Sequence, residues 1–231
     1  MRHRPFLITG CGRSGTRYVA DLLTSLGVPT GWEATLNPFY PTHKARDYPF
    51  LLRRLRFHGD ANWLATAYLS RVPGSVIVFQ QVRHPLRVVR SLLSLRFFGD
   101  DYLAPGSFAD PRHYNLVMNA LPGIRKFATA IERCLFYWVE WNKLWWRSCS
   151  ITRRGNHYYR FEDLLDPLTG ELGNLYFLLT GQRELPEIKW PANVHKIYGN
   201  GSGPAVTWGM IPDGPLKSEA QSLAEFYGYK D

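Results

Sequence analysis

The stretch Phe6-Leu-Ile-Thr-Gly10-Cys-Gly-Arg13-Ser14-Gly15-Thr16-Arg17 runs from an apolar segment into a glycine-rich turn, and Tyr18, Val19, Leu22, Leu23 and Leu26 follow at helical spacing. Such a pattern is a strand, a loop and a helix N-terminus. The helix's unsatisfied N–H groups and the positive end of its dipole point into the loop, which makes it a place to hold a phosphate. A loop for a metal–nucleotide complex reads G-x-x-x-x-G-K-[ST]. Gly10 and Gly15 keep that spacing, but Thr16 stands where the lysine belongs and Arg17 where the magnesium-binding hydroxyl belongs. The cation has moved inside the loop, to Arg13.

Working outward, Val28 to Trp32 is a short strand ending at Glu33, and Phe50 to Phe57 and Asn62 to Arg71 read as helices separated by His58-Gly59-Asp60. Ser75 to Val82 is the clearest buried strand; Arg83-His84-Pro85 stops it and Leu86 to Phe98 has helical periodicity. Ile124 to Cys149 is the longest helical pattern, with Trp138, Trp141, Trp145 and Trp146 as a core-facing aromatic stripe. Asn156 to Arg160 is a strand, and Glu171 to Leu179 and Ser218 to Phe226 are helices. Residues 186–215, rich in Gly and Pro, read as a lid or mobile loop. Strands alternating with helices predict an α/β fold with a parallel, doubly wound sheet in a single domain spanning 1–231. Ligands in such sheets bind beyond the carboxyl ends of the strands, where the Gly10 loop, Glu33 and Arg83 all fall.

The 231 residues suffice for one sizeable core, and 45% hydrophobic with 15% aromatic content reads as globular. A formal net charge of +9 calls for an anionic partner, but no Lys/Arg block is long enough for a nucleic-acid arm. Cys11, Cys134 and Cys149 are too few and unpatterned for a disulfide framework or a zinc site. With no apolar run of membrane-spanning length and the first strand starting by Pro5, the expectation is a cytoplasmic protein without stable membrane insertion.

Two further motifs carry chemistry. Arg83, at a strand end, and Ser91, two turns into the next helix, could bracket a second phosphate; a strand-tip Arg can equally form a structural ion pair. The same strand ends Phe79-Gln80-Gln81-Val82-Arg83, without the Asp that organises magnesium in P-loop kinases. In Tyr158-Tyr159-Arg160-Phe161-Glu162-Asp163-Leu164, a strand ends in an aromatic and acids open a helix, leaving Phe161 to pack on a purine.

These three motifs, in order over roughly residues 5–180, resemble the sulfotransferases that use 3′-phosphoadenosine-5′-phosphosulfate (PAPS). The resemblance implies a sheet of about five parallel strands flanked by helices, P-loop kinase-like but metal-independent. It implies that Gly12, Arg13, Ser14, Gly15, Thr16 and Arg17 form the 5′-phosphosulfate loop, with Arg13 against the bridging oxygen and Gly15, Thr16 and Arg17 on the 5′-phosphate, while Ser14 bonds the 3′-phosphate side or gates Arg13. Tyr18 and Phe161 would stack on adenine, and Arg83 and Ser91 would bind the 3′-phosphate. For the base, Glu33, twenty residues after Arg13, fits the carbohydrate and tyrosyl-protein branches; His58 is the rival, from the small-molecule branch. His195-Lys196 with the glycines at 199–203 is the nearest match to the segment that completes the 3′-phosphate site. The acceptor would be a small molecule or glycan, with no nucleic acid as partner. A P-loop small-molecule kinase and a non-catalytic anion-binding module are the alternatives.

Overall fold

The computed structural model describes residues 4–35, 48–99, 111–152, 157–191 and 204–230; His195, Lys196 and the glycines at 199–203 lie outside them, as does part of the expected lid. The chain folds as two compact units, Met1–Val82 with Leu144–Asn193, and Arg83–Lys143 with Val194–Asp231.

The first unit holds one sheet of five parallel strands: β1 (Phe6–Gly10), β2 (Thr30–Trp32), β3 (Gly59–Ala61), β4 (Ile77–Val82) and β5 (His157–Arg160), in the order β2-β3-β1-β4-β5. The expected α/β class with a five-stranded parallel sheet flanked by helices is what the chain adopts. Its period-two alternation feeds two cores. Phe6, Ile8 and Phe79 pack with Val19, Leu22 and Leu23 of α1 (Thr16–Ser25) and Leu175 and Leu179 of α7 (Glu171–Thr180). Leu7 and Val78 face the other side, with Leu52 of α2 (Tyr48–Arg54), Leu69 of the 3-10 helix Trp63–Arg71, and Trp145 and Cys149 at the end of α5 (Ala130–Thr152). Burial on both faces is what parallel strands require.

Sequence reasoning goes astray at three elements. His58-Gly59-Asp60 reads as a break between helices, yet Gly59–Ala61 is a strand paired on both sides. Three residues, Gly-Asp-Ala, carry no β-branched side chain and no alternation; they form a strand because β1 and β2 offer edges to them. Asn62 to Arg71, expected as an α-helix, is a 3-10 helix from Trp63, capped by Asn62 Oδ1 accepting from Leu64 N at 3.1 Å. The long helix starts at Ala130, not Ile124, behind a separate 3-10 turn, Pro122–Lys126. Its start is a capping box: Glu132 N donates to Thr129 Oγ1 at 3.3 Å and Thr129 N to Glu132 Oε2 at 3.1 Å. The aromatic stripe is core as expected, with Trp138, Trp141 and Trp145 fully buried.

Gly59 is there for space: a Cβ would overlap the Phe6 ring, itself fully buried. Gly59→Ala is therefore expected to cost about 1–3 kcal/mol, read as a lower urea midpoint at unchanged m-value.

The second unit contains α3 (Pro85–Ser94), α4 (Pro111–Ala120), most of α5 and α8 (Pro215–Phe226). α3 buries Val88, Val89 and Leu92. Aromatic pairs join them: Trp138 meets Tyr227 edge-on at 6.3 Å, His84 meets Tyr229 edge-on at 5.1 Å and Phe98 meets Tyr137, tilted, at 5.5 Å between ring centres. Among the described residues, no helix is long and apolar enough to cross a membrane.

Candidate active site

The loop between β1 and α1 is fixed from three directions. Ser14 N donates to Cys11 O at 3.1 Å, closing the turn. Thr66 Oγ1 lies 2.6 Å from Thr9 Oγ1 and donates to Gly10 O at 3.2 Å. Gln81 Nε2 donates to Ser14 O at 2.7 Å. A Cβ on Gly10 would run into the Gln81 carbonyl, and one on Gly15 would stand 2.7 Å from the Phe161 ring, so both glycines answer to close approach.

What the loop presents suits an anion. Gly15 caps α1 in the left-handed region, φ 99°, with no side chain bonding the first turn and no acid in it. Ser14 is 0% exposed and its Oγ has no partner among the described residues, an orphaned hydroxyl that a ligand oxygen would satisfy. Arg13 and Arg17 are half-buried beside it, and the Arg17 guanidinium sits 4.9 Å above the Trp32 ring. Phe161, the first residue of α6 (Phe161–Leu165), is 5% exposed, meets Tyr18 edge-on at 5.6 Å and props Gly15, which makes it a support of the loop.

Glu33 leaves the carboxyl end of β2 in the left-handed region, φ 50°, its N–H donating to Ala61 O at 3.1 Å. Burial, followed by the neighbouring Asp60 charge, pushes its carboxyl up to about 7; a hydrogen bond from the Trp63 side chain and the Arg13 charge pull the other way. Glu33 and Arg13, found at separate places in the sequence, are thus within electrostatic reach of one another.

Asp60, fully buried in β3, organises this corner. Its Oδ1 accepts from Ala34 N at 3.2 Å; its Oδ2 accepts from Thr35 N at 3.1 Å, Thr35 Oγ1 at 2.5 Å and Asn62 Nδ2 at 3.3 Å. Gly31 keeps the space open, since a Cβ there would stand 2.8 Å from Asp60 Oδ1. Burial pushes the Asp60 carboxyl up while these four donors pull it down.

The sheet topology separates the two proposed bases. His58 precedes β3: its carbonyl accepts from Phe6 N at 3.4 Å and its N–H donates to Pro29 O at 2.8 Å, at the amino edge of the sheet. Glu33, the Gly10 loop and Phe161 all follow strands and lie at the carboxyl edge. Arg83 and Ser91 belong to the second unit. There Trp138 Nε1 donates to Arg83 O at 3.0 Å, His84 Nδ1 caps α3 through Leu86 N at 3.2 Å, and Pro85 takes the first helical position. Ser91 is half-buried on α3.

The fold has a solved counterpart. It is shared with the "Sulfotransferase Domain from the Curacin Biosynthetic Pathway", at a TM-score of 0.57 and 14% identity, over 100% of this chain and 99% of that one. No protein-family model and no curated protein matches the sequence. Identity this low speaks for the fold, so the chemistry rests on the residues themselves. Four of those, Asp60, Trp63, Gln81 and Tyr159, escape sequence reasoning. The signal for Gln81 is an amide inside an apolar strand; for Asp60 it is an acid in a segment that looks like a turn.

Proposed function

We propose that this chain transfers the sulfuryl group of PAPS to a hydroxyl or amine of a carbohydrate or glycolipid, with Glu33 as general base. The observation that carries the reading is Glu33 itself: a carboxyl tuned to about 7, in reach of Arg13, at the carboxyl edge of a fold shared with a sulfotransferase domain. A base works best when its pKa lies near the operating pH. Glu33 takes the acceptor proton as the acceptor atom bonds to sulfur. The bond from sulfur to the 5′-phosphate oxygen breaks, Arg13 faces the charge gathering on the departing phosphate, and adenosine 3′,5′-bisphosphate leaves.

Gly15, Thr16 and Arg17 receive the 5′-phosphate through backbone N–H groups and side-chain donors, and the orphaned Ser14 hydroxyl supports a ligand oxygen at this loop. The resemblance assigns Tyr18 and Phe161 to the adenine and Arg83 and Ser91 to the 3′-phosphate. Trp32, 42% exposed and next to Glu33 in the chain, supports a ring-bearing acceptor such as a sugar.

The test is incubation with labelled PAPS and a panel of glycan, glycolipid and phenolic acceptors, expecting label in the acceptor. In parallel, micromolar adenosine 3′,5′-bisphosphate is expected to raise the Tm by a few degrees without added magnesium, and Arg83→Ala to shrink that rise. Stronger stabilisation by ATP with magnesium than by the bisphosphate would turn the assignment to a kinase.

A further inference from the structure

Gln81 lies near the end of β4, the strand whose sequence lacks the magnesium-organising Asp of P-loop kinases, and it is not idle. It is fully buried in β4, in register with Gly10 of β1 on one side and Tyr159 of β5 on the other. Its Nε2 donates to Ser14 O at 2.7 Å, and its Oε1 accepts from Tyr159 Oη at 2.9 Å. A carbonyl can only accept, so Ser14 O demands the nitrogen end of the amide. Tyr159, also buried, fills the oxygen end, and burial holds its hydroxyl in the protonated, donating form. The relay Tyr159–Gln81–Ser14 therefore has one self-consistent orientation.

We infer that Gln81, held by Tyr159, is a positioning residue that sets the phosphate loop for the donor by anchoring the Ser14–Gly15 peptide. No peptide in the described chain is cis, and in a trans peptide C=O and N–H point opposite ways. Fixing Ser14 O against Gln81 therefore aims Gly15 N–H away from the sheet interior, at the start of α1 where an anion binds. Gly15 meets that demand with φ 99°, and Phe161 closes it from outside. The inference rests on the donor reading above and adds what holds the donor site in shape.

The test compares Gln81→Leu, Gln81→Glu and Tyr159→Phe in the full chain, titrating adenosine 3′,5′-bisphosphate by calorimetry at several pH values and measuring transfer kinetics. Gln81→Leu is expected to weaken the bisphosphate about 5–10-fold at every pH and to raise the donor KM alike, leaving the acceptor KM unchanged. In Gln81→Glu, a protonated carboxyl can donate to Ser14 O and accept from Tyr159, whereas an ionised one meets the carbonyl with no proton. Affinity near the parent's at low pH and lost at high pH is expected. Tyr159→Phe, the mildest change, gives a smaller loss of the same kind and decides the matter should Gln81→Leu not fold. Parent-like binding in Gln81→Leu and Tyr159→Phe would overturn the inference, even with a pH-dependent Gln81→Glu, since charge alone would explain the latter. A parent chain that binds no bisphosphate would instead overturn the donor reading.

Discussion

Glu33→Gln is expected to lower the turnover of sulfuryl transfer by about 10²–10⁴-fold while leaving the affinity for adenosine 3′,5′-bisphosphate essentially unchanged. The amide keeps the shape and cannot take a proton. In the parent, the rate should rise with pH along a limb centred near 7, because Glu33 must be ionised to act and its carboxyl is pushed up to about 7. That limb should vanish from the residual rate of the variant. Stability runs the opposite way. The folded chain keeps the Glu33 proton at pH values where the unfolded chain, with an ordinary value of 4.5, has lost it. The contribution is therefore fully present below 4.5 and lost as the pH rises through about 7. Thermal scans should find Glu33→Gln more stable than the parent at pH 8, with the gap closing toward pH 5. A fall in rate that keeps the parent's pH limb would remove Glu33 from the base role.

Asp60→Ala is expected to be the most destabilising single change at this corner, at about 1–3 kcal/mol for each buried donor left unpaired. It strips the acceptor from Ala34 N, which is part-buried, and from Thr35 N, Thr35 Oγ1 and Asn62 Nδ2, which are fully buried. Each orphaned buried donor keeps its desolvation cost with nothing to offset it. Urea unfolding measures the loss directly. A midpoint equal to the parent's would show that the four donors find other partners and that the network around Asp60 contributes nothing.

The contrast between these two residues shows what the sequence makes legible. The loop after β1 can be read because its features are local: glycine spacing, a cation inside the turn and a helix opening directly after it all sit within twelve residues. The position of Glu33 can be read, at the end of a short strand, while its proposed role comes from the resemblance, twenty residues after Arg13. Asp60 cannot, because Gly59–Ala61 becomes a strand only when β1 and β2 flank it, and nothing in three small or polar residues announces that. Gln81 is visible only as an amide inside an apolar strand; its partners, Ser14 and Tyr159, lie 67 and 78 residues away in the chain. The start of α5 is an intermediate case: Thr129 and Glu132 spell a capping box, but the apolar residues before it blur the boundary.

Among the described residues outside glycine, positive φ occurs at Arg13, Glu33, Arg56 and Arg96. Two of these four are the proposed leaving-group cation and the proposed base. A side chain in the left-handed region costs about 1–2 kcal/mol, a cost glycine avoids. Selection for heat resistance alone would therefore drift toward glycine at both positions, gaining robustness while erasing the chemistry. Laboratory evolution of a hardier form of this protein would need activity screened in every round, or the proposed cation and base would be among the first to go.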